Sequence, residues 1–330
     1  MHYRVRGPRQ PVAPARVSGL RCSGRERHTG LMKVLDADTV RSRVSLAAAR
    51  GAVHDAFCAL ADGDVVAPDE FAMHLANGGE LHVKGAHLGG PYLAFKAAAG
   101  AFPEGGNSGF TAVLDAATGA PAAILDDGGW LTEIRTAAAS AVSARALARP
   151  GSRTLTILGG GFQAAFQVAA LREALGIESV TVWSRSSETR ERFAAEHDAV
   201  AADTVVEAVR STDIVICCTP SREPLVTFEM LSPGTHVIAM GSDLLGKREL
   251  ADDVLLGADL LVADDVSIAG RVGELAHLAE AAERAVDLGD VLTGRSPGRT
   301  SDEQISVSDH CGLGIQDAAM AQLVMTGGPS

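Results

Sequence analysis

Residues 154–158, Thr-Leu-Thr-Ile-Leu, form an apolar run that passes directly into Gly159-Gly160-Gly161-Phe162-Gln163-Ala164 and then into the helical stretch AAFQVAALREAL. A strand, a glycine turn and a helix in immediate succession leave the chain few folds to choose from. The spacing is Gly-x-Gly-x-x-Ala, and each position has a physical task when a dinucleotide pyrophosphate is to be held: Gly159 for the tight turn, Gly161 for close backbone approach, Ala164 for tight packing of the helix. Phe162 and Gln163 open that helix, whose N-terminus faces the phosphates. Alone, a glycine triplet is as consistent with a loop as with a site, so the context has to carry the reading.

The context is an alternation of apolar runs and helical segments. Strand candidates follow at VTVWS (180–184), DIVICC (213–218), THVIAM (235–240), LLVADD (260–265) and ISVSD (305–309). Near-continuous apolar strands separated by helices predict a parallel sheet covered on both faces, a doubly wound α/β domain of Rossmann type. The second strand ends at Trp183-Ser184-Arg185-Ser186-Ser187. Carboxylates that would meet ribose hydroxyls are missing there, and Ser184, Arg185 and Ser186 suit a 2′-phosphate instead. NADP(H) is therefore favoured and NAD(H) stays open; the alternative for Arg185 is a solvated sheet edge. Thr136 and Thr219 are expected at the same cofactor site.

Upstream the texture differs. Between about 64 and 130, short apolar runs are broken by glycine pairs, and Asp115-Ala-Ala-Thr-Gly119 is a turn signal between two of them, so this stretch reads as an antiparallel sheet of hairpins. Thr132 then caps an Ala/Ser-rich helix with Glu133 and Arg135 in its first turn, running to Pro150. Its small side chains suit close packing between two layers. Val40, Val44, Ala47, Ala48, Ala52, Phe57 and Leu60 recur at near-helical spacing before a stop at Gly63.

Charge divides the chain unevenly. Of the net −12, residues 1–31 contribute about +6 through seven arginines and one acid, leaving about −18 on the rest. That leader lacks the apolar core of a secretory signal, and Pro8, Pro11 and Pro14 argue against an amphipathic transit helix. It reads as a disordered basic extension, with Met32 opening the folded pattern as a downstream start would. An acidic body with only 13 aromatics lacks the basic, base-stacking surface of a nucleic-acid binder. Apolar runs stay short of the roughly 18–20 residues that cross a bilayer. Five cysteines without metal-ligand spacing argue against a disulfide scaffold or a metal site and for a reducing cytoplasm. Cys217-Cys218 reads as core, and His310 and Cys311 fall where two domains would meet.

Five motifs in order, LTEIRTAAASA, the glycine turn followed at once by Gln163 and Ala164, VWSR, GTHVIAMGSDLLGKREL and GLGIQDAAMAQ, resemble the ornithine cyclodeaminase and mu-crystallin family over roughly residues 32–325. The resemblance implies a homodimer. It implies a second, α+β substrate and dimerisation domain made of 32–135 plus 310–330, with a Rossmann domain at 136–309 inserted between. It also implies site residues. Arg135 corresponds to the arginine that grips a substrate carboxylate. Lys96 corresponds to a lysine that hydrogen-bonds that carboxylate or moves a proton, and Asp243 to the aspartate that meets the substrate nitrogen. For Lys96 and Asp243 the bland alternative is a structural ion pair. Glu80 aligns with a family glutamate.

The departures favour one branch. No arginine stands between Arg50 and Lys84, where cyclodeaminases carry one; His82, Lys84 and His87 stand there instead. Lys84-Gly85 ahead of a second lysine is similar to the arrangement in iminosuccinate reductases, solvated strand charges being the alternative. The reading that follows is an NAD(P)H-dependent oxidoreductase acting on a small 2-imino acid of ketimine, iminosuccinate or alanine-dehydrogenase type. The rivals are an NAD-retaining ornithine cyclodeaminase and a non-catalytic, crystallin-like NADPH-binding protein.

Overall fold

The chain enters the fold through β1 (Lys33–Asp36), α1 (Ala37–Arg41) and α2 (Leu46–Asp62), then runs through β2 (Phe71–His74), β3 (Glu80–His87), β4 (Tyr92–Gly100), β5 (Ser108–Asp115) and β6 (Pro121–Asp126). This computed structural model describes residues 32–104 and 108–327; the Arg-rich leader and its expected disorder lie outside the described residues. The six strands form one sheet in the order β1-β6-β5-β4-β3-β2, antiparallel from β2 to β6, with β1 added parallel to β6. The predicted turn at 115–119 closes the β5–β6 hairpin. Asp115 Oδ1 accepts from Ala117 N and Thr118 N, and Gly119 has φ +70°, which glycine adopts without a Cβ clash.

Two local expectations need correction. The helical pattern expected from Val40 to Leu60 is interrupted, because Ser45 accepts from Ala48 N and starts α2 afresh, and β1 precedes it. Gly63, at φ +76°, ends α2 where the sequence places the stop. The next helix, α3 (Trp130–Leu147), begins two residues before the expected cap. Asp127 supplies the acceptor for Leu131 N, so the Thr132 hydroxyl is not consumed as a cap and serves a different partner.

From α3 onward strands and helices alternate: β7 (Thr154–Leu158), α4 (Phe162–Leu175), β8 (Ser179–Trp183), α5 (Ser187–His197), β9 (Val200–Ala201), α6 (Val205–Val209), β10 (Ile214–Cys217), β11 (His236–Ala239), α7 (Asp252–Gly257), β12 (Leu260–Ala263), α8 (Val266–Val272), α9 (Ala279–Arg284), β13 (Val286–Asp287), α10 (Leu288–Leu292), β14 (Ser306–Asp309) and α11 (Gly314–Thr326). All eight strands pair in parallel, in the order β13-β12-β14-β11-β10-β7-β8-β9. The order reverses between β7 and β10, and such switch points open a crevice at the carboxyl ends of the strands.

Helix α3 stands between the two sheets. Ala138, Ala139 and Val142 pack into the core shared with α2 and α11, while Ala137, Ala141 and Ala144 pack into the core on one face of the parallel sheet. Alanine and serine let both layers approach it closely. The boundary expected at 135/136 falls inside this continuous helix. Helix α11 returns from the parallel sheet to lie against β3, β4 and α2. Among the described residues no helix is long and apolar enough to cross a membrane.

Candidate active site

The glycine turn has the shape its sequence implies. Gly159 sits at φ +118°, and a Cβ there would lie 2.7 Å from the Cys218 carbonyl oxygen. A Cβ at Gly160 would meet Thr189 Cγ2 at 2.9 Å, whereas above Gly161, the N-cap of α4, nothing lies within 4 Å. The turn is thus closed towards the protein and open in front of the N-terminus of α4, which has no side-chain cap of its own. That is the cradle a pyrophosphate requires. Ala164 is fully buried beneath it, Gln163 Nε2 donates to the Glu133 carbonyl oxygen at 3.4 Å, and Phe162 is exposed. At the end of β8, Ser186 is engaged as the cap of α5, Ser184 is half-buried, and Arg185 is exposed with no partner among the described residues.

A second cluster forms where the sheet of hairpins meets α3 and α11. The register of β3 and β4 sets Lys84 directly opposite Lys96. Lys96 Nζ donates to Thr132 Oγ1 at 3.2 Å and lies 3.2 Å from Asp317 Oδ1 on α11. The same carboxylate oxygen is 3.2 Å from Arg135 Nε, and Arg135 Nη1 donates to Gln316 Oε1 at 2.8 Å. All three charged residues are buried: Lys96 is 8% exposed, Arg135 7% and Asp317 4%. Burial pulls the Lys96 ammonium down to about 8; Asp317 opposes this shift, and Arg135 and Lys84 add to it. Burial alone would raise the Asp317 carboxyl, but Lys96, Arg135 and Lys84 outweigh it and hold the group below its usual range. Asp317 is shared by three cations, whose remaining donors are of the kind that receive an incoming carboxylate. Lys84 Nζ donates to the carbonyl oxygens of Cys311 (3.3 Å) and Gly312 (2.9 Å), and Glu70 stands 3.5 Å away.

Two adjoining cavities meet at Asp243 and Gly312. The larger, about 670 Å³, carries Glu80, His82 and Lys84 on one wall and Leu245 and Arg222 on another. The smaller, about 270 Å³, is lined by Arg135, Thr136, Gln163, Thr219, Gly241 and His310. Glu80, Lys84, Arg135, Thr136, Gln163, Thr219 and Asp243, all singled out from the sequence, therefore line these cavities, whereas Lys96, the glycine turn and Ser184–Ser186 do not. Asp243 is less engaged than the lysine and arginine: its side chain is 47% exposed and takes a 2.6 Å hydrogen bond from Lys247, with no contact to the Lys96 cluster. Glu80 lies 3.5 Å from His82 and 3.7 Å from His74.

Several residues packed around the cleft have no role in the sequence reading. Asp317 and Gln316, which contact Lys96 and Arg135, stand in the motif GLGIQDAAMAQ, but the motif alone assigns them no partner. Glu249 is fully buried and accepts from Thr219 and Gly241; burial pushes it up to about 7 against the pull of these donors. Asp264 accepts from Cys311 N and Gly312 N, and burial raises it to about 6. His310 is held neutral, brought down to about 3 by burial and by Arg135. Burial raises the thiols of Cys217, Cys218 and Cys311, which makes all three poor nucleophiles.

The sequence model for the ornithine cyclodeaminase/mu-crystallin family matches residues 32–327. An alanine dehydrogenase of Archaeoglobus fulgidus is 32% identical over 305 residues, covering 88% of this chain and 93% of that protein. Among solved structures, an archaeal alanine dehydrogenase dimer with bound NAD superposes with a TM-score of 0.84 at 31% identity, covering 90% of this chain and 95% of that one. The Thermococcus litoralis Δ1-pyrroline-2-carboxylate reductase, in complex with NADH and L-proline, gives 0.83 at 26% identity, covering 90% and 97%.

Proposed function

Because the chain belongs to the ornithine cyclodeaminase/mu-crystallin family, we propose that it is a nicotinamide-dependent oxidoreductase that reduces a small 2-imino acid to the 2-amino acid. The observation that carries this reading is the buried Lys96–Asp317–Arg135 cluster, whose Arg135 lines the same cavity as Gln163 in the first turn of α4. Gln316 accepts from Nη1 of Arg135, and the Asp317 carboxylate stands 3.2 Å from its Nε as an ion pair. A planar guanidinium fixed in this way receives a carboxylate in one orientation. Lys96 and Lys84 add charge on the facing strands, and Lys96, near its midpoint at mildly alkaline pH, can hold or release a proton at Nζ. In this reading Asp243, which lines both cavities, holds the proton of the substrate nitrogen.

The dinucleotide fits the cradle of Gly159, Gly161 and the α4 N-terminus, with Thr136, Gln163 and Thr219 along the smaller cavity and Ser184, Arg185 and Ser186 at the far ribose. When bound, the reduced nicotinamide supplies hydride to the imine carbon. Exposed Arg185 supports NADP(H) over NAD(H), although the similar archaeal alanine dehydrogenase and pyrroline-2-carboxylate reductase structures hold NAD and NADH.

The sheet of hairpins also supports a homodimer. Register places Phe71, Met73, Phe95 and Phe110 on one face of β2–β5, opposite to the face of Lys84 and Lys96. All four are exposed, an apolar surface that a second copy would cover.

The test is a panel of 2-oxo acids with ammonia or methylamine, followed by loss of NADPH or NADH absorbance. Turnover on one of them supports the reductase. Ornithine-dependent ammonia release with no net nucleotide consumption would replace it with a cyclodeaminase, and nucleotide binding without turnover on any substrate would leave a binding protein.

A further inference from the structure

The parallel ladder between β10 and β11 ends one step above the strands, where Met240 N still donates to the Cys217 carbonyl oxygen at 2.9 Å. Thr219 and Gly241 come next and have no strand carbonyl to pair with. A single carboxylate takes over. Glu249 Oε1 accepts from both Thr219 N and Thr219 Oγ1 at 2.7 Å, and its Oε2 accepts from Gly241 N at 2.8 Å. The backbone of Glu249 is itself anchored. Its N–H and that of Leu250 donate to the two Glu274 carboxylate oxygens at 2.7 and 3.1 Å, and its carbonyl oxygen accepts from Leu225 N and Val226 N. Glu249 and Glu274 are both fully buried. The fit leaves no slack: a side chain at Gly241 would collide with the Thr219 carbonyl oxygen and the Glu249 carboxylate. Thr219 and Gly241 both line the smaller cavity, whereas Glu249 does not reach it.

We infer that Glu249 is a positioning residue that fixes the two strand-end loops framing the nicotinamide end of the dinucleotide site, and through them sets cofactor affinity. This rests on the dinucleotide reading proposed above. Ionised, the carboxylate satisfies three donors at once. An amide at this position would turn N–H groups towards Gly241 N or Thr219 N, opposing donor to donor.

The experiment uses the full chain. NADPH and NADH are titrated by quenching of protein fluorescence, and kcat and KM for the nucleotide are measured on whichever 2-oxo acid is turned over. Glu249→Gln is expected to raise Kd about tenfold, the loss of one charge-assisted hydrogen bond. KM for the nucleotide should follow Kd while kcat changes less than about threefold. Thr219→Val, which removes the hydroxyl that donates to Glu249 and accepts from Ser221 N, should weaken binding, and Thr219→Ser should recover most of the loss; combined with Glu249→Gln, Thr219→Val should add little. Unchanged Kd in folded Glu249→Gln, or equal Kd for Thr219→Val and Thr219→Ser, overturns the inference. If Glu249→Gln does not fold, the Thr219 pair decides alone. Failure of the wild-type chain to bind either nucleotide overturns the cofactor reading, and this inference with it.

Discussion

The carboxylate of Asp317 stands 3.2 Å from the ammonium of Lys96, an ion pair that joins the last helix, α11, to β4 of the hairpin sheet. Each charge is buried, so neither is stable there without the other. The pair therefore ties closure of the fold to the electrostatics of the cleft.

The first prediction concerns pH. Lys96 loses its proton near 8, so kcat/KM should fall as pH rises above about 8 if the ammonium grips substrate. Asp317 raises Lys96, so Asp317→Asn should move that limb to lower pH by about a unit. A limb that stays in place would mean that another group titrates. The sign for stability is separate: Lys96 is lowered from its unfolded value of 10.5, so its contribution improves between about 8 and 10.5 and is least favourable below.

Arg135→Lys keeps the charge but not the fork. It should lower kcat/KM by about 10²-fold or more, equivalent to about 3 kcal/mol, through loss of oriented charge-assisted hydrogen bonds. Arg135→Ala also strips Asp317 of a buried partner and should reduce unfolding free energy by about 3–5 kcal/mol in urea titrations.

Arg185→Asp should invert nucleotide preference. The exposed guanidinium has no partner among the described residues, so its removal should leave the melting temperature nearly unchanged. The ratio of kcat/KM for NADPH to that for NADH should fall at least about tenfold. A constant ratio would show that Arg185 does not meet the 2′-phosphate.

Gly159→Ala places a methyl group 2.7 Å from the Cys218 carbonyl oxygen at φ +118°. Denaturant melts should show a loss of about 1–3 kcal/mol, with nucleotide affinity falling as the turn distorts.

Phe95→Glu puts a charge in the middle of the exposed apolar face. Light scattering after size exclusion should show a dimer for the wild-type chain and a monomer, or a concentration-dependent mixture, for the variant. A monomeric wild-type chain would sink the homodimer.

The parallel sheet was the most legible part of the sequence. Its strands are apolar on both faces, so TLTIL or DIVICC signals itself without reference to any partner. Local patterning was weaker for β1, four residues that form a strand only because β6 is there to pair with, and for β9, two residues long. In the cleft, Arg135 and Lys96 were visible because the motifs around them are local. Asp317, Glu249 and Asp264 were not assigned roles, since their value depends on donors distant in the chain. The start of α3 was misplaced for a related reason: Thr132 has the chemistry of a cap, but its hydroxyl is taken by Lys96.

Helix α3 belongs to both layers at once: its alanines pack into the core of the hairpin sheet on one side and against the parallel sheet on the other, and Arg135 projects from its first half. Such a shared axle has a mechanical result. Were the two layers to rock against each other, α3 is the line about which they would turn, and a group on the axis is displaced least. Arg135 would then shift little through the stroke, while Asp243, on a loop away from the axle, would sweep the larger arc.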